Sequence, residues 1–126
     1  MKVSAKRYSD LVAWQKAMAL VEEVYKVTRG FPKEELYGLT AQLRRSVVSV
    51  PSNVAEGHGR RGGREFAHHL SIAHGSLSEV ETQVEIAYRL GYVSAEQRTR
   101  ILEMSFETAR IIGGLLKSLE KYAKPN

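Results

Sequence analysis

The chain has 126 residues, no cysteine, and 19 lysines and arginines against 14 acidic residues, which gives a net charge of +5. This length is enough for one domain with a buried core, and the lack of cysteine excludes disulfides and thiolate metal sites and is typical of a cytoplasmic protein. The first ten residues contain no apolar signal segment and no apolar run reaches the length of a membrane span, so neither secretion nor a membrane location is expected.

The first predicted helix covers about residues 10–29, with Asp10 as its N-cap. Its apolar residues recur at intervals of three and four, which is the spacing of one buried helix face. They are Leu11, Trp14, Met18, Val21, Tyr25 and Thr28.

The second predicted helix covers about residues 36–58 and contains a proline. Its apolar face keeps one register across Pro51, and consists of Leu36, Leu39, Leu43, Val47, Val50 and Val54. This continuity predicts one helix kinked at Pro51, because proline cannot donate the hydrogen bond to the Val47 carbonyl. Two separate helices that meet at Pro51 are the alternative.

The third and fourth predicted helices cover about residues 64–90 and 95–122. The third has a heptad seam made of Phe66, Leu70, Ala73, Leu77, Val80, Val84, Ala87 and Gly91. Gly91 is a natural helix terminator, and Ser94 with Gln97 forms a capping box for the fourth helix. Four amphipathic helices with short connections predict an all-α, up-and-down antiparallel four-helix bundle, in which residues 1–126 form a single domain.

Two of these helices carry more apolar surface than a monomer needs. The second helix has Tyr37, Ala41, Val48 and Ala55 outside its main face, and the fourth has a second stripe of Leu102, Phe106, Ala109, Gly113 and Leu116. Surplus apolar surface usually marks a protein interface. Tyr37, Val48, Leu102, Phe106 and Leu116 are therefore the candidate contacts of a homo-oligomer. A broad, well-packed core is the alternative.

Arginines cluster before and within a glycine-rich segment. The candidate phosphate ligands are Arg44, Arg45, Arg60, Arg61 and Arg64. Guanidinium groups match phosphate geometry, and glycines let backbone N–H groups approach an anion. The alternative is a solvated turn, in which Arg60 pairs with Glu56 and Arg44 bridges two helices. The segment lacks the Gly-Lys-Ser/Thr ending of a nucleotide-binding loop, and no aromatic residue interleaves with the arginines to stack on bases.

No residue set predicts a catalytic or metal site. Glu65 and His68 form one Glu-x-x-His motif, whereas a di-iron bundle needs two such motifs and two further glutamates. Polar residues around Pro51, namely Ser49, Ser52, Asn53 and Glu56, lack the context of a nucleophile. They are expected to compensate the kinked backbone or to form hydrogen bonds across a subunit interface. We therefore expect no enzymatic activity and no cofactor.

Several short segments resemble a known family. They are residues 14–18, 37–40, 42–45 and 73–77, and the most specific is residues 49–57, with the sequence SVPSNVAEG. Over about residues 8–92 the chain resembles the four-helix-bundle proteins encoded within intervening sequences of large-subunit ribosomal RNA genes, and also the accessory bundle proteins of diversity-generating retroelements. The resemblance implies a ring-like homopentamer and brings no established enzymatic activity. The retroelement proteins associate with nucleic acid and a reverse transcriptase.

Together these features predict a non-enzymatic, oligomeric protein that is associated with nucleic acid or acts as a scaffold. The arginine segment would contact phosphates, and the family context favours RNA over DNA. A protein–protein adaptor that binds an acidic or apolar partner without nucleic acid is the alternative.

Overall fold

The structure is a computed structural model that describes residues 7–60 and 62–123, the last two of these by their backbone only. Four long helices and one short C-terminal helix account for most of it. They are α1 (Val12–Thr28), α2 (Leu39–Gly59), α3 (Gly63–Arg89), α4 (Ala95–Ser118) and α5 (Glu120–Ala123). The described residues contain no strand, and the predicted all-α four-helix bundle is confirmed.

The four long helices pack as a closed square. α1 and α3 each contact both α2 and α4, while in the part of the chain that is described no Cα atoms of a diagonal pair come within 8 Å of each other. Consecutive helices are therefore antiparallel neighbours, as short connections require. None of the described helices has the length and apolar character needed to cross a bilayer.

Seven of the eight residues in the predicted seam of α3 are buried, whereas Gly91 is exposed because it lies beyond the end of the helix. The buried face of α1 differs from the prediction. Its centre is formed by Ala13, Ala17, Leu20, Val24 and Val27. The larger apolar residues that the spacing had selected, Trp14, Met18, Val21 and Tyr25, are half-buried at its flank. Alanines at the centre let the neighbouring helices approach α1, which leaves the bulky side chains at the edge of the core.

The start of α1 also differs from the prediction. Asp10 was expected to cap this helix, but it lies in a 3-10 turn, Tyr8–Asp10, and the N-cap is Leu11. The cap residue therefore offers no side-chain acceptor to the first turn of α1.

α2 runs unbroken through Pro51, which is buried, so the alternative of two helices is excluded. A kink at Pro51 stays a prediction. The helix begins three residues later than expected, at Leu39, because a 3-10 turn, Lys33–Glu35, precedes it. Leu36 consequently lies outside the apolar face and is 49% exposed.

The connections α1–α2 and α3–α4 lie together at one end of the bundle. The Tyr92 hydroxyl donates a hydrogen bond of 3.0 Å to Glu35 Oε2, and its ring contacts Phe31. Gly91, with a φ of 81°, ends α3 in the left-handed conformation that favours glycine. The predicted capping box of Ser94 and Gln97 is present at the start of α4. The α2–α3 connection therefore lies at the opposite end, with the start of α1 and the end of α4.

Candidate functional site

The arginine segment forms the tight connection between α2 and α3. α2 ends at Gly59 and α3 begins at Gly63, and Gly62 has a φ of 90°, a conformation that side chains rarely adopt. This glycine turn places Arg60 and Arg64 at the same end of the bundle, here called the basic end. Arg61, also predicted to contact phosphate, lies outside the described residues.

Arg60 is already engaged with a carboxylate. Its Nη2 lies 2.7 Å from Glu56 Oε2, one turn earlier on α2, as the alternative reading of the sequence expected. The hydrogen bond from Arg60, followed by the positive charge of His69, lowers the pKa of the Glu56 carboxyl, and the same bond raises the pKa of Arg60. Both side chains are half-exposed, so a competing anion can reach this guanidinium only by sharing or displacing Glu56.

Arg64 is exposed and forms no ion pair with any residue that the structure describes. It lines an open groove of about 620 Å³ between α3 and α4, and Lys117 lines the same groove from α4. Lys117 was not predicted from the sequence as part of this site, because it is far from the arginines in the chain. The antiparallel packing of α3 and α4 brings the two cations to one surface. This could have been predicted only if the position of α4 along α3 had been known.

Arg44 has a structural role. Its Nε donates a hydrogen bond of 2.9 Å to Thr28 Oγ1, and its guanidinium lies 4.6 Å from the centre of the Tyr25 ring. Arg44 therefore joins α2 to α1. At 1.5 Å per helical residue it lies about 24 Å along α2 from Arg60, so the structure does not bring it to the basic end. Arg45 is exposed, about as far from the basic end, and can contact only a ligand that extends along the bundle.

The polar residues around Pro51 form a network between α2 and α3. Asn53 Nδ2 donates to the Ser49 carbonyl at 2.9 Å and to Ser49 Oγ at 3.1 Å. Ser49 Oγ lies 2.9 Å from Ser76 Oγ, and Asn53 Oδ1 lies 3.0 Å from His69 Nδ1. The network gives the Ser49 carbonyl a side-chain donor and holds α3 at a fixed height on α2. Ser52, in contrast, is exposed.

Gly57 completes this contact near the basic end. A Cβ added at Gly57 would lie 2.6 Å from His69 Cβ and 3.1 Å from Phe66 Cδ1, closer than real side chains approach. Only glycine lets α2 and α3 come this near at the turn. Residues 49–57, the most specific segment of the resemblance, thus supply both the hydrogen bonds and the close approach that fix α3 on α2.

The comparison with protein families agrees with the family resemblance that residues 49–57 carry. The family model described as 23S rRNA-intervening sequence protein matches residues 9–114, which is most of the chain. The chain belongs to this family. It is also similar to a crystal structure from Bacteroides thetaiotaomicron, described as a protein with unknown function from the S23 ribosomal protein family. That chain shares 23% sequence identity, and the match covers 84% of this chain and 99% of the other with a TM-score of 0.76. At this identity the likeness shows a common fold. No curated protein matches the chain.

Two of the histidines contact each other, since the rings of His68 and His69 lie edge-on with their centres 5.6 Å apart. His69 bonds to Asn53, the His58 ring packs edge-on against Phe66, and His68 lines the α3–α4 groove. In the described part of the chain no three histidine or carboxylate side chains are arranged to hold a metal ion. The comparisons indicate no enzymatic family.

The candidate interface residues lie on two different surfaces of the bundle. Tyr37 is 93% exposed and Val48 is 39% exposed at α2, whereas Phe106 is 56% exposed on α4. Leu102 and Leu116 are half-buried, also on α4. Because α2 and α4 occupy opposite corners of the square, these residues form two unlike apolar surfaces on opposite flanks.

Proposed function

We propose that the protein is a non-enzymatic, oligomeric nucleic-acid-associated protein that contacts phosphates through its basic end, with RNA favoured over DNA. The observation that carries this proposal is the convergence of Arg60 and Arg64 on the glycine turn that leads into α3. Guanidinium groups there face the same solvent as the first backbone N–H groups of a long helix, and both favour an anion. Arg61 belongs to this site by its place in the sequence.

The net charge of +5 and the family description support a nucleic-acid partner. Binding of this kind is driven by release of counterions from the phosphate backbone and therefore falls steeply with salt. The family description names 23S rRNA intervening sequences, which is the reason to prefer RNA. No phenylalanine, tyrosine or tryptophan interleaves with the arginines of the glycine turn in the sequence, so we expect contact with the backbone and little selection among bases.

We further propose that the protein assembles head to tail through its two apolar flanks, α2 with Val48 and α4 with Phe106. Unlike surfaces on opposite flanks favour a heterologous contact, which closes into a ring when the rotation permits. A homopentamer follows from the resemblance noted in the sequence. A ring repeats the basic end around one rim, so a long polyanion would gain affinity through several weak contacts at once.

A protein–protein adaptor is the second candidate, and the exposure of Tyr37 favours it. A tyrosine that is 93% exposed beside the half-exposed Leu36 resembles the aromatic anchor of a binding surface. An adaptor of this kind would hold its partner at high salt, whereas phosphate contact would not.

The deciding experiment is a titration of the purified protein with labelled structured RNA and duplex DNA at several salt concentrations, with the mass measured by light scattering. We expect binding that weakens steeply with salt and that is reduced by Arg60→Ala and by Arg64→Ala. Arg29→Ala is the matched control, because Arg29 is equally exposed but lies at the opposite end of the bundle. Absence of binding at low salt by an intact oligomer would refute the proposal and favour the adaptor.

A further inference from the structure

The groove between α3 and α4 extends the basic end along the side of the bundle. Arg64 stands on its α3 wall and Lys117 on its α4 wall. Both cations are exposed and neither forms an ion pair with a described residue. Glu120 is the one carboxylate among the residues that line the groove. Unpaired cations on both walls favour an occupant that is negatively charged along its length.

The shape of the groove fits a chain that lies in it. Gly113 lines it, and a Cβ added there would meet no atom within 4 Å, so packing within the chain does not require this glycine. Its absent side chain leaves room for a backbone to approach α4 closely. Adjacent packed helices have axes about 8–10 Å apart, so a groove between them is too narrow for a duplex.

The α3 wall also carries groups that distinguish RNA from DNA. His68 and Ser71 are exposed, lie one helical turn apart, and line the groove on the same wall as Arg64. A hydroxyl and an imidazole can each donate to or accept from a ribose 2′-hydroxyl, which DNA lacks. The apolar Leu116 on the facing helix offers contact to the sugar.

We infer that this groove binds a single strand of RNA, with phosphates between Arg64 and Lys117 and a ribose 2′-hydroxyl at Ser71 or His68. The inference rests on the proposed function, because Arg64 belongs to both sites. It adds the path of the strand, the role of Lys117, and a physical reason for preferring RNA.

The test is fluorescence anisotropy with a labelled oligouridine and the matching oligodeoxyuridine over a salt series. Lys117→Ala should weaken binding of both and lower the slope of log affinity against log salt by about one, as expected when one phosphate contact is lost. Glu120→Gln should strengthen binding of both, since it removes a repulsive charge. Ser71→Ala together with His68→Ala should reduce affinity for RNA toward that for DNA.

Lys33→Ala is the matched control, because Lys33 is an exposed lysine at the opposite end and its loss should leave both affinities unchanged. If Lys117→Ala binds as the wild type does while Arg60→Ala and Arg64→Ala bind weakly, the groove inference is wrong and the proposed function stands. If the wild-type protein binds neither oligonucleotide, both the groove inference and the proposed function are wrong. A change in oligomer mass for Lys117→Ala, with affinity per protomer unchanged, would show that a second copy occupies the groove and would also overturn the inference.

Discussion

Asn53 on α2 and His69 on α3 are joined by a hydrogen bond of 3.0 Å between Oδ1 and Nδ1. The amide of Asn53 also donates to the Ser49 carbonyl, within the helical turn around Pro51. One side chain therefore serves two purposes. It donates a hydrogen bond to a carbonyl in the turn that contains proline, and it fixes the height of α3 against α2, on which the glycine turn and the basic end depend.

Asn53→Ala should destabilise the fold by about 1–3 kcal/mol, because it removes two hydrogen bonds to Ser49 and leaves the half-buried His69 ring without this partner. Urea denaturation followed by circular dichroism would measure this change in the free energy of unfolding. Ser52→Ala, one residue earlier on the exposed face, is the control and should change the stability by less than about 0.5 kcal/mol. Equal stabilities for the two variants would mean that water replaces the network at no cost.

Alanine substitution of two glycines within helices should change the free energy of unfolding in opposite directions. Gly57→Ala should destabilise the protein by about 1–3 kcal/mol, because the new methyl group would overlap His69 Cβ and push α3 away from α2. Gly75→Ala should stabilise it by about 0.5–1 kcal/mol, since a Cβ there meets nothing and alanine is the better helix former. Thermal unfolding of the two variants side by side would check the signs. If Gly57→Ala instead stabilises the protein, α2 and α3 can move apart without a loss of stability.

Substitution of two adjacent arginines on α2 should affect different properties, the stability in one case and the binding in the other. Arg44→Ala removes the hydrogen bond to Thr28 and the stacking on Tyr25, and should destabilise the fold by about 1–2 kcal/mol with little effect on polyanion affinity. Arg45→Ala should leave the stability unchanged and should weaken only the binding of ligands long enough to extend along the bundle. Denaturation and RNA titration of the same two samples would test this, and a large loss of RNA affinity in Arg44→Ala alone would reverse the assignment.

The sequence predicted what depends on periodicity and missed what depends on contact between helices. The seam of α3 was correct from Phe66 to Ala87, because seven-residue spacing alone determines which side of a long helix is buried. Leu36 was wrongly assigned to the apolar face of α2, since the spacing continues backward through a turn that is not α-helical.

The candidate site was predictable only in part for the same reason. The pairing of Arg60 with Glu56 follows from an i,i+4 spacing and could be read from the sequence. The convergence of Lys117 with Arg64, and of Asn53 with His69, depends on how one helix slides and rotates against another. A single sequence does not specify that register.

The ion pair at the basic end predicts a pH-dependent change. Arg60→Gln should raise the pKa of Glu56 toward its ordinary value, because the hydrogen bond from Arg60 is the largest cause of its lowering. A carboxyl whose pKa is lower in the folded state adds stability at pH values above its unfolded pKa, and this contribution is lost as the pH falls through the folded pKa. The stability difference between wild type and Arg60→Gln should therefore shrink in acid.

An NMR titration of the Glu56 side-chain carboxyl would measure this pKa directly. Arg29→Gln, at the opposite end, should leave it unchanged. A Glu56 pKa that is the same in wild type and Arg60→Gln would mean that the pair does not persist in solution.

The head-to-tail arrangement can be tested by mixing two variants, each of which has a different flank disrupted. Val48→Asp disables the α2 flank and Phe106→Asp the α4 flank, so each variant alone should be monomeric, because a buried unpaired carboxylate opposes association. In a mixture, the intact α4 flank of the first variant can still bind the intact α2 flank of the second. The mixture should form a one-to-one heterodimer that cannot grow further, and native mass spectrometry would detect it. An isologous contact predicts otherwise, since whichever variant kept the self-complementary flank would dimerise by itself.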